Sequence, residues 1–317
     1  SRNIILRNKS TSTIISDDPS LTNNNVDYEV LKKSRPMRIY ARLIDPSNGD
    51  GGAINNNTII GSSSAAVTTK IVHFQRHGQG THNEIYKQWT ERTGKPLDLS
   101  ETDPRKNPLL TNIVLDAPLT QKGRDQCAKI RSVAAKLEGV ELIIASPLTR
   151  ALQTAHITFQ DHLPYNTNTK PSSSSREVKW IAHEGIREEL GMLLCNKRRP
   201  LSETELDFPE VDYTYLPHAH NGGKKDVLWD NHVDKTTGED GIPKRETMVD
   251  MSHRAYHFLV DFVHSRPEKE IAVVGHSAWL LAMTGAVLDI REEDERLITP
   301  MFGQAELRSM ELRFFEQ

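Results

Sequence analysis

The feature that most constrains this chain is an apolar, strand-like run that ends in a cation and an imidazole. The letters KIVHF at 70–74 are followed closely by Arg76-His77-Gly78, and Asn83 lies six residues beyond the histidine. Buried strands usually lead into turns of small polar residues. The run therefore predicts a strand that delivers charged and titratable side chains to one point.

Strand-like and helix-like segments alternate along the rest of the chain. Strand character is found at 70–74, 141–146, 178–185, 270–277 and 306–315. Helical character is found after Asn83, at 119–139, 148–159 and 247–265, and from Ala278. This alternation predicts an α/β fold, a three-layer α/β/α sandwich with a mostly parallel sheet.

Two of these helices have a predicted buried face. For the helix at 119–139, Thr120 is the expected N-cap and Gly139 the expected stop. Its apolar face is predicted to consist of Cys127, Ile130, Val133, Ala134 and Leu137. The inward residues of the helix at 247–265 are predicted to be Met251, Ala255, Phe258, Leu259 and Phe262.

The composition divides the chain into an N-terminal extension and a regular domain. Residues 1–69 are rich in Ser, Thr, Asn and Gly, which predicts loop or partial disorder, with one short extended segment at 35–45. Residues 70–317 form the predicted domain. A polar insertion at 160–176 reads as a surface loop, and a longer one at about 193–245 reads as a lid over a site.

Charge and cysteine content narrow the function classes. The 317 residues are 36% hydrophobic, which is enough for a sizeable core, and the net charge is -3. No basic excess points to nucleic acid or to an anionic membrane as partner, and no apolar run has the length of a membrane span. Two cysteines fit a reducing, cytoplasmic compartment. The chain begins at Ser1 rather than Met, which is compatible with removal of a targeting peptide.

Four side chains are expected to converge at one edge of the sheet. Arg76 and His77 follow the first strand, Arg150 opens the helix after the second, and His276 follows the fourth. Ligands of open α/β sheets bind beyond the carboxyl ends of the strands. Two guanidiniums and two imidazoles need a multivalent anion between them, and guanidinium forks suit phosphate oxygens. The predicted ligand is a phosphoryl group, to which the Asn83 amide is also expected to donate.

Two imidazoles at one phosphate site also suggest covalent chemistry. Histidine can act as a nucleophile. Positive neighbours are expected to lower the pKa of His77 and keep it neutral near pH 7. Its other ring nitrogen then has to donate to an acceptor, such as a carbonyl near the tight Gly78 turn.

The sequence also contains candidates for the proton donor and for further substrate ligands. Glu184, Glu188 and Glu189 all follow the third strand, and Glu188 is favoured because it lies three residues before Gly191. Ser277, which follows His276, and Arg198 are predicted to bind substrate, although the charge run around Arg198 is also typical of a solvated face. His218 and His220 lack the spacing of metal ligands, so no metal and no other cofactor is expected.

Several motifs in order resemble those of one known family. They are RHGQGTHN, SPLTRALQTA, REELG, RETMVDMSHR and VVGHSAWL, and together they resemble the histidine phosphatase superfamily of phosphoglycerate mutase-like proteins over about 70–317. CNKRR and AELRS resemble its fungal and plant branch. The resemblance implies that His77 becomes phosphorylated, with Glu188 as proton donor. It implies that the phosphoryl group is held by Arg76, Asn83, Arg150 and His276.

One departure from the family pattern concerns the residues after Gly78. Many relatives have Glu-Ser or Glu-Thr there, whereas this chain has Gln79-Gly80-Thr81. The change removes an acid and a side chain from the rim of the pocket, so the contacts to the leaving group are open.

Three functions remain at this point. The first is hydrolysis of a small phosphorylated substrate through a phosphohistidine, without a metal. The second is a phosphoglycerate-type phosphomutase, and the third is a phosphate-binding module without catalysis on the same fold. Neither the substrate nor the oligomeric state follows from the sequence.

Overall fold

In the computed structural model, the residues described are 27–45, 68–163, 178–216, 225–290, 294–295 and 300–316. Their strands are β1 (Met37–Leu43), β2 (Thr68–Arg76), β3 (Leu142–Ala145), β4 (Lys179–Ala182), β5 (Glu270–Gly275), β6 (Leu288–Ile290) and β7 (Leu307–Glu316). Their α-helices are α1 (Tyr28–Lys33), α2 (Thr81–Thr93), α3 (Gln121–Ala134), α4 (Thr149–Thr158), α5 (Leu201–Asp207), α6 (Val227–Thr236), α7 (Met248–His257) and α8 (Ser277–Ala286).

The strands form one sheet in the order β4-β3-β5-β2-β7-β1-β6. Among the described strands, β7 alone is antiparallel to its neighbours, β2 and β1. The remaining strand pairs are parallel. The predicted mostly parallel sheet is therefore confirmed. β3 and β5 lie inside the sheet, which explains why their sequences are apolar almost throughout.

Two cores, one on each face of the sheet, make the fold three-layered. Alternate residues of β5 point to opposite faces: Ile271 and Val273 lie in one core, Ala272 and Val274 in the other. The first core packs against α7, α8 and a π-helical segment, Phe258–His264, that continues α7. The second packs against α3 and α4 and receives side chains of the long insertion. These layers confirm the predicted α/β/α sandwich.

Part of the predicted N-terminal extension lies in the sheet. β1 pairs with β7 on one side and with β6 on the other, so it lies within the sheet. Arg35, between α1 and β1, is buried and donates to the carbonyl of Ala286 and to the Ser252 hydroxyl. The short extended segment expected near 35–45 therefore belongs to the folded body. Residues 1–26 and 46–67 lie outside the described part of the chain.

The predicted helices exist, with shifted ends. Thr120 caps α3 by accepting from the amide of Gly123, but the α-helix ends at Ala134 rather than near Gly139. Val133 was placed on the buried face and is 45% exposed. α2 starts at Thr81, before the expected position, with Asn83 in its first turn.

The insertion at 193–245 has more regular structure than its polar composition indicates. It contains α5, α6 and a 3-10 turn, Leu194–Asn196. Short helices of this kind have too few turns to show a period in sequence. Residues 217–224, with His218 and His220, are not described, and the loop predicted at 160–176 is described only up to residue 163.

Candidate active site

The carboxyl ends of β2 and β5 place two imidazoles side by side. Arg76 is paired with Gly275 in the parallel register, so His77 and His276 are the next residues on neighbouring strands. The His77 amide donates to the Gly275 carbonyl at 3.0 Å. The two ring centroids are 5.1 Å apart, and both residues are buried. The parallel pairing of β2 and β5 therefore brings the two imidazoles together.

Hydrogen bonds define which nitrogen of His77 carries a lone pair. Nδ1 lies 2.6 Å from the carbonyl oxygen of Gly78, an acceptor, so Nδ1 is the protonated nitrogen. Nε2 accepts from Nε of Arg150 at 3.3 Å. The expected acceptor near the Gly78 turn is thus the Gly78 carbonyl itself, and the Nε2 lone pair faces Arg150.

Arg150 is fully buried at the start of α4 and links the sheet to the insertion. Its Nη2 donates to Oδ1 of Asn196 at 2.8 Å, and its Nη1 donates to the Cys195 carbonyl. The start of α4 is fixed by Asp116, which accepts from the amide and the hydroxyl of Thr149, each at 2.8 Å. Asp116 has a φ of 44°, a backbone conformation that no sequence pattern predicted.

Arg76 is held by a segment near the C-terminus that the sequence analysis did not assign to the site. Its Nη1 donates to the carbonyl of Phe302 at 2.7 Å, and its amide donates to the Glu306 carbonyl. The amide of Ala305 donates to the carbonyl of His77 at 3.2 Å. The segment before β7 therefore positions both residues.

The electrostatics of this cluster favour neutral imidazoles. Burial lowers the pKa of His77 well below its ordinary 6.5, and the charges of Arg150 and Arg76 lower it further. The pKa of His276 is lowered in the same way, first by burial and then by Arg150. Both ring nitrogens of His276 are buried without a hydrogen-bond partner among the described residues. Buried polar atoms of this kind normally have a hydrogen-bond partner.

The three candidate acids differ in their partners. Glu184 accepts from Arg187, and Glu189 is bound by Arg245. The carboxylate of Glu188 instead accepts from the Ser277 hydroxyl at 3.3 Å and from the Ala278 amide at 3.4 Å, both long hydrogen bonds. The negative charge of Glu188 favours the charged forms of Arg76 and Arg150, whose pKa values burial lowers. Of the three, Glu188 has its carboxylate at the entrance to α8, beside His276.

The other predicted ligands have different surroundings. Asn83 uses its side-chain oxygen to accept from the Gly80 amide at 2.9 Å, an arrangement that orients its NH2 group. Arg198 is buried, donates to the carbonyls of Arg199 and Lys225, and lies 3.6 Å from Glu184. These contacts favour a structural role for Arg198, and its binding of substrate stays a prediction.

His82 joins the cluster and was missed. Its ring centroid lies 5.7 Å from that of His77. Burial lowers the pKa of His82, and the charges of Arg150 and Arg76 lower it further. The motif contains this histidine, but its position in the first turn of a helix is also typical of a surface residue. Gln79 points elsewhere, because it accepts from the Thr120 hydroxyl and donates to Glu84. Despite the three imidazoles, no group of His, Cys, Asp or Glu able to hold a metal occurs in the described ranges.

Fold and cluster together define an α/β protein with a cationic, histidine-containing crevice at the carboxyl edge of its parallel strands. Residues 100–200 match the sequence profile of the histidine phosphatase superfamily (branch 1). Phosphoglycerate mutase-like protein 1 of Arabidopsis thaliana is 30% identical over 261 residues, covering 76% of this chain and 80% of the plant protein. A protein of Schizosaccharomyces pombe named a probable phosphatase is 25% identical over 65% of this chain and 74% of its own. The chain belongs to the histidine phosphatase superfamily.

Solved structures with a related fold are more distant. A mycobacterial glucosyl-3-phosphoglycerate phosphatase is 18% identical, with a TM-score of 0.39 over 77% of this chain and 91% of that one. An Escherichia coli protein described as a putative alpha-ribazole-5'-P phosphatase is 17% identical, with a TM-score of 0.40 over 79% and 97%. Within the described residues, no helix is both long and apolar enough to cross a membrane.

Proposed function

We propose that this chain hydrolyses phosphomonoesters of small molecules through a phosphohistidine at His77. The observation that carries the proposal is the convergence of Arg76, His77, Arg150 and His276 at one edge of the sheet, with unpartnered ring nitrogens on His276. A phosphoryl group supplies the negative charge and the acceptor oxygens that these groups lack. Asn83 is proposed as a further donor to the same oxygens.

In the first step, the Nε2 lone pair of His77 attacks phosphorus. The P–N bond forms as the bond from phosphorus to the ester oxygen breaks, and Glu188 gives its proton to that oxygen. The hydrogen bond from Nδ1 to Gly78 holds the ring in place. Arg76, Arg150 and His276 stabilise the charge on the equatorial oxygens.

In the second step, water attacks the phosphohistidine. Glu188, now ionised, takes the proton of the water as the P–N bond breaks, and inorganic phosphate leaves. His77 regains its neutral form, which its lowered pKa favours. This step distinguishes a phosphatase from a mutase, in which the phosphoryl group returns to the substrate.

The nucleophile is tested with His77→Ala. We expect the variant to lose the acid-labile phosphoprotein that the native chain forms with a labelled aryl phosphate. Turnover should fall more than about 1,000-fold, as it does when a nucleophile is removed from other enzymes. His257→Ala, which changes an exposed histidine on α7, is the control. Unchanged hydrolysis by His77→Ala would refute the assignment.

Two further assays separate the alternatives. With 3-phosphoglycerate, release of phosphate supports the phosphatase, and conversion to 2-phosphoglycerate supports the mutase. A native protein that binds phosphate but turns over no phosphoester supports the binding module. A cytoplasmic location also stays a proposal, supported by the free, buried thiols of Cys127 and Cys195.

A further inference from the structure

The side chain of His82 occupies the space that a side chain at position 80 would need. A Cβ built on Gly80 would lie 2.6 Å from two atoms of the His82 ring and 3.5 Å from Cδ of Arg150. The backbone of Gly80, with φ -88° and ψ 162°, is extended and open to any residue. A side chain at position 80 would therefore collide with the imidazole that fills this space.

This imidazole has the surroundings of a ligand-binding group. Its ring centroid is 5.7 Å from that of His77, and His77 in turn lies 5.1 Å from His276. Nδ1 of His82 and the hydroxyl of Thr81 are buried without a hydrogen-bond partner among the described residues. Burial first, and then Arg150 and Arg76, lower the pKa of His82 well below 6.5, so the ring is neutral and one of its nitrogens carries a proton to donate.

We infer that His82 is a phosphoryl-binding residue, whose ring lies over Gly80 and donates a hydrogen bond to an oxygen of the phosphoryl group on His77. The inference rests on the proposed function and deepens it, because it adds a third imidazole to the site. It also gives the Gln79-Gly80 departure a physical meaning. The side chain absent at position 80 is replaced in space by the ring two residues later.

The inference predicts that substitutions of His82 and Gly80 weaken phosphate binding through the same loss. In His82→Ala the ring is absent, and in Gly80→Ala the new methyl group displaces it. Both variants should bind inorganic phosphate about 10- to 100-fold more weakly, the loss expected for one hydrogen bond to a charged group. The double variant should be no weaker than either single one, because the methyl group then meets no ring.

Binding of inorganic phosphate is measured by calorimetry on the whole chain, without reference to turnover. His82→Gln keeps an N–H donor of similar reach and should recover most of the affinity. Lys87→Ala, on the exposed side of the same helix, is the control and should bind phosphate as the native chain does.

The outcomes separate this inference from the function on which it rests. Native protein that binds phosphate but forms no phosphohistidine contradicts the proposed function, and the affinity of His82→Ala still decides the role of the ring. Unchanged affinity in His82→Ala overturns the inference, as does the absence of phosphate binding by the native chain. Losses that add in the double variant, or that His82→Gln does not restore, would show that the ring only packs.

Discussion

The partners of individual residues discriminate between side chains that look equivalent in the sequence. Glu184, Glu188 and Glu189 follow one another within six positions, yet two of them are bound to guanidinium groups. Among the described residues, the carboxylate of Glu188 accepts hydrogen bonds from neutral donors, the Ser277 hydroxyl and the amides of Glu189 and Ala278. It is thus the carboxylate best placed to exchange a proton at the mouth of the crevice.

Glu188→Gln tests this assignment. We expect turnover to fall by about 100- to 10,000-fold, because an amide cannot protonate the departing oxygen. The loss should be greater for an alkyl phosphate than for an aryl phosphate, whose leaving oxygen needs no proton. kcat for both substrates is the measurement, and Glu184→Gln and Glu189→Gln are the matched controls. Equal losses in all three variants would show that the wrong glutamate was chosen.

The sequence predicts those site residues that follow directly from a strand end. Arg76, His77 and His276 come from the apolar runs before them, and the parallel register then places them together. His82 and the Phe302 carbonyl were not predicted, because they reach the site through a local fold-back and through a distant segment. For Arg198 the sequence favoured a functional role because of its charge. In the structure, its guanidinium donates to backbone carbonyls around it.

At the scale of elements, contacts between distant parts of the chain determine structure that the local sequence pattern does not predict. β1 is a short strand in a polar neighbourhood, and its main partner β7 lies at the far end of the chain. Nothing within residues 37–43 shows that pairing. The insertion behaves similarly, since a buried charge network holds its base in addition to its apolar contacts with the second core.

Arg187 and Asp226 are the centre of that network. Arg187 is fully buried, and its two Nη atoms donate to the carboxylate of Asp226 at 2.6 and 2.8 Å. Burial raises the pKa of Asp226, but the attraction of Arg187 outweighs it and leaves the pKa below the ordinary value. Arg187 also donates to the carbonyl of Asn196, whose side chain holds Arg150. The network thus connects the insertion to the crevice.

Asp226→Asn should destabilise the fold by about 3–5 kcal/mol, because it leaves a buried guanidinium without its main counter-charge. Asn retains the capping ability at the start of α6, and its NH2 group also removes the acceptor for the Arg198 amide, so the loss includes that hydrogen bond. Asp230→Asn is the control, since its contact with Lys197 is exposed and worth at most about 1 kcal/mol. Urea unfolding measures both. A loss of stability no larger than that of the control would mean that the network does not hold the insertion.

At the scale of the whole molecule, burying neutral imidazoles links the crevice to the stability of the fold. His77, His82 and His276 have pKa values well below 6.5 in the folded chain. His183, half-buried against Phe258 and Phe262, has a pKa lowered to about 4 by desolvation. In the unfolded chain all four return to about 6.5. Near and below pH 6.5, the unfolded state therefore binds more protons at these imidazoles than the folded state does.

The free energy of unfolding should consequently fall as the pH drops from 7.5 to 5.5. Above pH 7.5 these imidazoles are neutral in both states and contribute no slope. Below 6.5 each adds up to about 1.4 kcal/mol per pH unit. His183→Asn keeps a good N-cap for the turn at Glu184–Ile186 and removes one such group, so its slope should be shallower by one proton. His257→Asn, at an exposed site, should follow the native slope, and a His183→Asn slope equal to the native one would contradict the linkage.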